Sequence, residues 1–197
     1  MWGKRIMDII VSMIGLILLL PLFIFISIVI ILESKGGILY RQVRIGKNAV
    51  PFKINKFRTM HINADNKGLL TVGDHDTRIT QIGYYLRKYK LDELPQLWNV
   101  LIGDMSIVGP RPEVEQYVNL YTAEQRKVLN IAPGITDYAS LKYFNENELL
   151  SHSDDPEYTY IHDIMPDKIK INLEYISKAG INEDIRIIVQ TLRRLIL

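Results

Sequence analysis

Two acids stand side by side in Leu91-Asp92-Glu93-Leu94-Pro95-Gln96-Leu97-Trp98. Adjacent carboxylates do not share a helix face, so they suit two separate tasks, or one task at a helix start. Proline is tolerated in a first helical turn, which makes Asp92 an N-cap candidate with Glu93 just inside. The same place also suits chemistry, because free N–H groups favour a phosphate and an aspartate can attack phosphorus to give an acyl phosphate. Capping and catalysis both stay open on these residues. In Lys56-Phe57-Arg58-Thr59-Met60 two cations lie two residues apart, on one face of a strand. They read either as a solvated face or as a clamp for a diphosphate. In Val108-Gly109-Pro110-Arg111-Pro112-Glu113 the two prolines hold the chain extended around Arg111. A rigid strap carrying one Arg and one Glu favours a binding role over a surface turn. His61, His75, His152 and His162 show no metal-ligand spacing, and the chain has no Walker loop and no Gly-x-Gly-x-x-Gly.

These residues need elements to hold them. Ile38 to Arg44 and Val50 to Phe57 partly alternate apolar with polar around Gly46-Lys47-Asn48, which predicts a β-hairpin. The polar stretch Asn63 to Asp76 predicts a mobile loop. Ile79, Ile82, Leu86 and Tyr89 recur at helical spacing, as do Leu94, Leu97, Trp98 and Leu101, and the Gly/Pro stretch from Gly103 to Pro112 ends that pattern. Thr122 with Gln125 resembles a capping box. Pro133-Gly134 predicts a turn and Asn145 to Asp155 an acidic loop. Ile185, Ile188, Val189, Leu192, Leu195 and Ile196 form an apolar stripe, with Arg186, Arg193 and Arg194 on other faces. That stripe is either core or an interfacial helix on anionic lipid.

The chain has 197 residues, no cysteine, and 24 basic against 22 acidic residues. Its length suits one domain with small appendages; its composition excludes a disordered chain, a disulfide framework and a thiol nucleophile. A net charge of +2 argues against a nucleic-acid partner. Ile9 to Leu32 is an uncharged run of 24 residues, interrupted only by Ser12, Gly15, Pro21 and Ser27. Its Leu, Ile, Phe and Val contribute about −6 to −11 kcal/mol to insertion. A secretory signal is shorter and ends in a cleavage pattern that this run lacks, so the segment predicts membrane attachment. As a straight helix the run would reach about 36 Å. Pro21 near its middle breaks that helix, and Lys4 and Arg5 before it mirror Lys35, Arg41, Arg44 and Lys47 after it. Basic residues at both ends favour a segment that enters and leaves by one face over a kinked single span.

Together these stretches resemble the bacterial sugar transferases, the small monotopic phosphoglycosyl transferases. The resemblance rests on Lys56 to Met60, Leu91 to Gln96, Asn99-Val100, Gly103-Asp104-Met105-Ser106, Val108 to Pro112 and Pro133-Gly134-Ile135-Thr136, together with Lys4-Arg5 and Asp8 before the proline-broken segment. It runs over nearly the whole chain and implies a minimal catalytic unit without an added N-terminal membrane domain. The implied fold is α+β and mostly helical, with an N-terminal re-entrant membrane helix broken at Pro21, a small β-hairpin and amphipathic interfacial helices. Residues 1–35 would be the anchor, and 36–197 a catalytic domain on the cytoplasmic face of the bacterial inner membrane.

The resemblance also implies an activity. Asp92 would attack the β-phosphate of a UDP-sugar, expel UMP and carry the phosphosugar to a polyprenyl phosphate such as undecaprenyl phosphate, starting glycan assembly. Glu93 would act as acid/base or metal partner. Mg²⁺ would be held by Asp92 and Glu93. Lys56, Arg58, Arg87, Arg111 and Glu113 would contact substrate and its phosphates. Membrane lipids are implied partners, and a homodimer is compatible. Two positions depart from the pattern: Leu20-Pro21 replaces the frequent Ser-Pro, and Asp137-Tyr138-Ala139-Ser140 replaces glycine, an aromatic and Ala-Gln. Two competing readings are a membrane-bound metal-dependent diphosphate hydrolase and a membrane-anchored scaffold.

Overall fold

The computed structural model describes residues 2–62, 64, 70, 72–73 and 76–196. Most of the expected loop from Asn63 to Asp76 lies outside them. Helix α1 (Trp2–Leu18) and helix α2 (Leu20–Glu33) meet at Leu19 with a 60° bend. The cause is local. Pro21 sits in the first turn of α2 and has no N–H to return to α1. The ladder stops at Leu19 N–H, which donates to Gly15 O at 2.9 Å, and resumes with Phe23 N–H to Leu19 O at 2.9 Å. Among the described residues, no single helix is long and apolar enough to cross a membrane; the bent pair passes that test together, by length and composition.

One side of α1 is polar and docks on the rest of the chain. Lys4 donates to Val108 O at 2.9 Å and to the buried Asp184 carboxylate at 2.6 Å. Arg5 donates to Val100 O and Leu101 O, at 2.6 and 2.8 Å. These carbonyls lie in the last turn of helix α4 (Gln96–Ile102), where a cation is favoured. Buried Asp8 accepts from Ser106 Oγ and Ile107 N–H. The opposite side of α1, with Ile6, Ile10, Met13, Ile14 and Ile17, is exposed.

Strands β1 (Leu39–Ile45) and β2 (Pro51–Phe57) form the expected antiparallel hairpin, in register from Leu39↔Phe57 to Ile45↔Pro51. Its connection holds Asn48 and Ala49 at φ 56° and 61°. Helix α3 (Gln81–Lys88) starts at Thr80, whose side chain accepts from Gly83 N–H. Gly83 has to be bare there, because a Cβ would lie 2.0 Å from Thr59 O. Strands β3 (Ser106–Val108) and β4 (Gly134–Thr136) make a short parallel pair that the sequence did not announce.

The remaining elements are helices: α5 (Glu115–Val118), α6 (Tyr138–Lys142), α7 (Glu146–Ser151), α8 (Pro156–Thr159), α9 (Met165–Lys178) and α10 (Ile181–Ile196), with a π-turn over Tyr160–Ile164. The expected acidic loop at Asn145 to Asp155 is therefore corrected: much of it is α7, held by Leu150, which is buried in the core around α9. The capping box forms reciprocally, Thr122 N–H to Gln125 Oε1 at 2.8 Å and Gln125 N–H to Thr122 Oγ1 at 3.2 Å. It opens a 3₁₀ turn, Gln125–Asn130. In α10 the inward face carries Asp184 and Ile187, because Lys4 of α1 fixes Asp184. Most of the predicted apolar stripe is thereby turned outward: Ile185, Val189 and Leu192 are exposed, while Ile188 packs on the core.

Candidate active site

Lys90 sets the geometry of the acidic pair. It adopts φ 55°, a left-handed conformation uncommon for a lysine, and turns the chain from α3 into a 3₁₀ turn, Leu91–Glu93. Leu91 and Leu94 pack with Ile26 and Ile30 of α2, with Phe57 and with Leu86. That packing seats the turn directly on α2, the second helix of the bent pair. Asp92 and Glu93 are both buried. Asp92 does not cap α4, whose N-cap is Pro95 with no side-chain hydrogen bond, so the capping reading is overturned.

The surroundings shift the two acids in opposite directions. Glu93 is grasped by Arg111, with Nη1 to Oε2 at 3.1 Å and Nη2 to Oε1, and by Lys56 Nζ to Oε1 at 3.0 Å. Burial pushes its proton affinity up, but Arg111 and Lys56 outweigh burial and hold the carboxyl well below the usual range. Asp92 makes no hydrogen bond among the described residues, and burial lifts its carboxyl above the usual range against the pull of Lys56. Arg111 is held in the protonated form mainly by Glu93. Burial lowers the proton affinity of Lys56, Arg87 and Lys90, while Asp92 and Glu93 act on all three in the other direction. Four cations thus serve two carboxylates. The cluster keeps spare positive charge for an incoming anion.

The elements behind Arg111 explain the strap. Gly134 N–H donates to Pro110 O at 3.0 Å and Gly109 N–H to Thr136 O at 3.1 Å. At that separation a Cβ on Gly134 would lie 2.1 Å from Gly109 N. The fully buried Asp137 accepts from Arg111 N–H at 3.0 Å and also caps α6 through Ser140 N–H. The departure at Asp137 is therefore a support for the strap. Asn99 plays the matching part for β2: its Oδ1 accepts from Asn55 N–H at 3.0 Å and its Nδ2 donates to Lys53 O at 2.8 Å. This ties the strand carrying Lys56 to α4.

Not every expected residue joins the cluster. Lys56, Arg87, Asp92, Glu93 and Arg111 do. Arg58 does not use its guanidinium there: Nε, Nη1 and Nη2 donate to Gly37 O, Lys35 O and Ser34 O at 2.6, 2.8 and 2.9 Å. It closes the end of α2, and the two-residue spacing from Lys56 does not make a joint clamp. Glu113 accepts from Tyr160 OH and lies 3.5 Å from Arg44, in a separate aromatic-lined cluster with Tyr117 and Tyr121. Lys90 was not foreseen, since no pattern marks a left-handed lysine. Asp137 could have been read from Asp137-Tyr138-Ala139-Ser140, an N-cap spacing.

The fit to a divalent cation is narrow. Among the described residues no three His, Cys, Asp or Glu side chains gather as a metal site. Both Glu93 oxygens are already taken by Arg111 and Lys56, which leaves the Asp92 carboxylate as the free hard donor.

Comparison with known proteins agrees with this geometry. The family model described as bacterial sugar transferase matches residues 1–197. Three relatives match over nearly the whole chain. A UDP-glucose:undecaprenyl-phosphate glucose-1-phosphate transferase of Caulobacter vibrioides is 33% identical over 196 residues, covering 98% of this chain and 69% of that protein. One with the same description from Klebsiella pneumoniae is 37% identical over 193 residues, covering 95% of this chain and 39% of that protein. A UDP-N-acetylgalactosamine-undecaprenyl-phosphate N-acetylgalactosaminephosphotransferase of Aeromonas hydrophila is 34% identical over 198 residues, 98% and 43% respectively. The chain thus spans about two-fifths of the length of the latter two relatives. A match over all 197 residues, on a chain whose paired acids face a strapped arginine, places this protein in the bacterial sugar transferase family.

Proposed function

We propose that this chain transfers a sugar-1-phosphate from a UDP-sugar to undecaprenyl phosphate or a similar polyprenyl phosphate, through a phosphosugar held on Asp92. One observation carries the reading: a buried aspartate without a hydrogen bond stands beside a glutamate whose charge is fully matched, among four cations. An unencumbered carboxylate is free to attack, and unbalanced cations suit a diphosphate. An Asp92 oxygen forms a bond to the β-phosphorus as the bond from that phosphorus to the bridging oxygen breaks, and its electron pair leaves on UMP. An oxygen of the lipid phosphate then attacks the same phosphorus and the Asp92–phosphorus bond breaks. The carboxylate is regenerated, and the product is a polyprenyl diphosphate-linked sugar.

Arg111 and Lys56 share their donors between Glu93 and the incoming phosphates, while Arg87 and Lys90 add field from the α3 side. Glu93 acts by keeping Arg111 and Lys56 in place. Asp92 would be the residue to hold Mg²⁺, which would supply further charge neutralisation. The bent α1–α2 pair is read as a re-entrant anchor, with residues 36–197 on the cytoplasmic face of the inner membrane. The reading is supported by Lys4 and Lys35 at the two ends and by exposed Ile, Leu and Phe along both helices. Trp98 and Ile102 of α4 and the outward stripe of α10 add further exposed apolar residues. A site at the membrane surface reaches a soluble nucleotide and a lipid phosphate together.

The test is to incubate the chain with a panel of UDP-sugars, with and without undecaprenyl phosphate, and to measure UMP. A brief UMP burst without lipid and turnover with lipid are expected. Full turnover of UDP-sugar without any lipid acceptor would identify a hydrolase instead.

A further inference from the structure

Gln96 is 1% exposed, and its side-chain Nε2 has no hydrogen-bond partner. Leaving a buried amide N–H unpaired costs stability. Its place in the chain says which face the side chain leaves from. Leu94 and Pro95 keep right-handed helical angles between the 3₁₀ turn and α4, so the backbone from Asp92 to Gln96 runs as nearly one helical turn. Gln96 is then four residues after Asp92 and three after Glu93, the spacings that stack side chains on one face. Asn99, three further on, faces the hairpin through Asn55 and Lys53. Gln96 thus leaves the chain on the face it shares with the two carboxylates. Glu93 accepts its donors from Arg111 and Lys56, and Asp92 accepts none.

We infer that the Gln96 amide is a phosphoryl-binding donor: its unpaired N–H is reserved for a non-bridging oxygen of the phosphorus that becomes attached to Asp92. The inference rests on the reading of Asp92 as nucleophile and adds a residue to it. Unlike Lys56 and Arg111, this donor is engaged by neither carboxylate. It is therefore free to take a phosphoryl oxygen. The cost of the orphaned N–H is borne by the empty site and removed in the intermediate, which favours adduct formation.

Beryllium fluoride, which coordinates a carboxylate oxygen as a phosphoryl mimic, tests this without knowledge of the sugar. Binding to the full chain in magnesium buffer is followed by ¹⁹F NMR, and the Gln96 side-chain amide by ¹⁵N NMR. The wild type should bind, with a shift of the Gln96 amide resonance, and Asp92→Asn should not bind. Gln96→Met, close in volume, should bind about ten- to a hundredfold more weakly while its Tm stays equal to or above wild type, because an unpaired polar group has been removed. A residue serving only the fold would lower Tm and leave the affinity unchanged. Should Gln96→Met fail to fold, Gln96→Glu replaces the donor by an acceptor and is expected to abolish binding. Wild-type affinity in the folded Gln96 variant, with Asp92→Asn inactive in binding, overturns the inference alone. Equal binding by Asp92→Asn, or none by wild type, overturns the Asp92 reading beneath it.

Discussion

Asp92 and Glu93 are chemically alike and separated by one peptide bond, yet their surroundings push their proton affinities in opposite directions. In the proposed mechanism that difference divides the work: the carboxylate with partners would be a scaffold for cations, and the one without would react. Asp92→Asn is expected to abolish turnover with the fold intact, and UMP release within tenfold of wild type would remove Asp92 as nucleophile. Arg111→Lys exchanges a bidentate fork for a point charge and should lose ~10- to 100-fold in kcat/KM, about 1.4 to 2.7 kcal/mol. Arg58 should behave differently. Arg58→Ala strips three carbonyls of their donors, so it should lower Tm with kcat retained per folded molecule; a selective loss of kcat at unchanged Tm would return Arg58 to the phosphate clamp. Arg111 was legible because two flanking prolines mark it, whereas type and spacing left the paired acids open between a cap and a site, and the family resemblance singled them out. Arg58 was not, since strand spacing gives the face a side chain leaves from but not which carbonyls a long guanidinium will reach.

Elements supply the precision that the residues need. The β3–β4 pair is only three residues per strand, but it fixes the strap through two glycines in near contact. Gly134→Ala should destabilise by about 3 kcal/mol or more, as overpacking against backbone allows no side-chain escape. Gly37→Ala, whose Cβ would meet nothing closer than Leu39 O at 3.7 Å, should be nearly neutral by the same thermal melt. The bend at Leu19 carries a second prediction. Cysteines at Trp2 and at Lys35, both exposed, should each resist an impermeant thiol reagent added outside intact cells. Pro21→Leu, by restoring an unbroken apolar helix, should expose one of them. Equal labelling patterns with and without Pro21 would show that the bend is set elsewhere. Hairpin, proline break and both site helices were readable from local periodicity. The parallel pair was not, because its two strands are far apart in sequence and too short to leave a period. The stripe of α10 was ambiguous for a related reason: which face turns inward is decided by Lys4, 180 residues away from Asp184.

At the scale of the whole molecule, a covalent intermediate requires UMP to depart before the lipid phosphate reacts, so initial-rate plots should be parallel, as in ping-pong kinetics. Intersecting plots with an obligatory ternary complex would exclude that order. In the proposed function, the exposed apolar residues of α1, α2, α4 and α10 would keep such a site at the level where a lipid phosphate stands. The knot of Lys4, Tyr175 and Asp184 joins the first helix to the last. That knot has a meaning for the protein's birth. Ribosomes add roughly 5–20 residues per second, so the carboxylate that will receive Lys4 is made about 10–35 s after Lys4 itself. Throughout that interval Lys4 has no carboxylate to pair with. A chain halted before Asp184 would leave the first helix without the ion pair that ties it to the last.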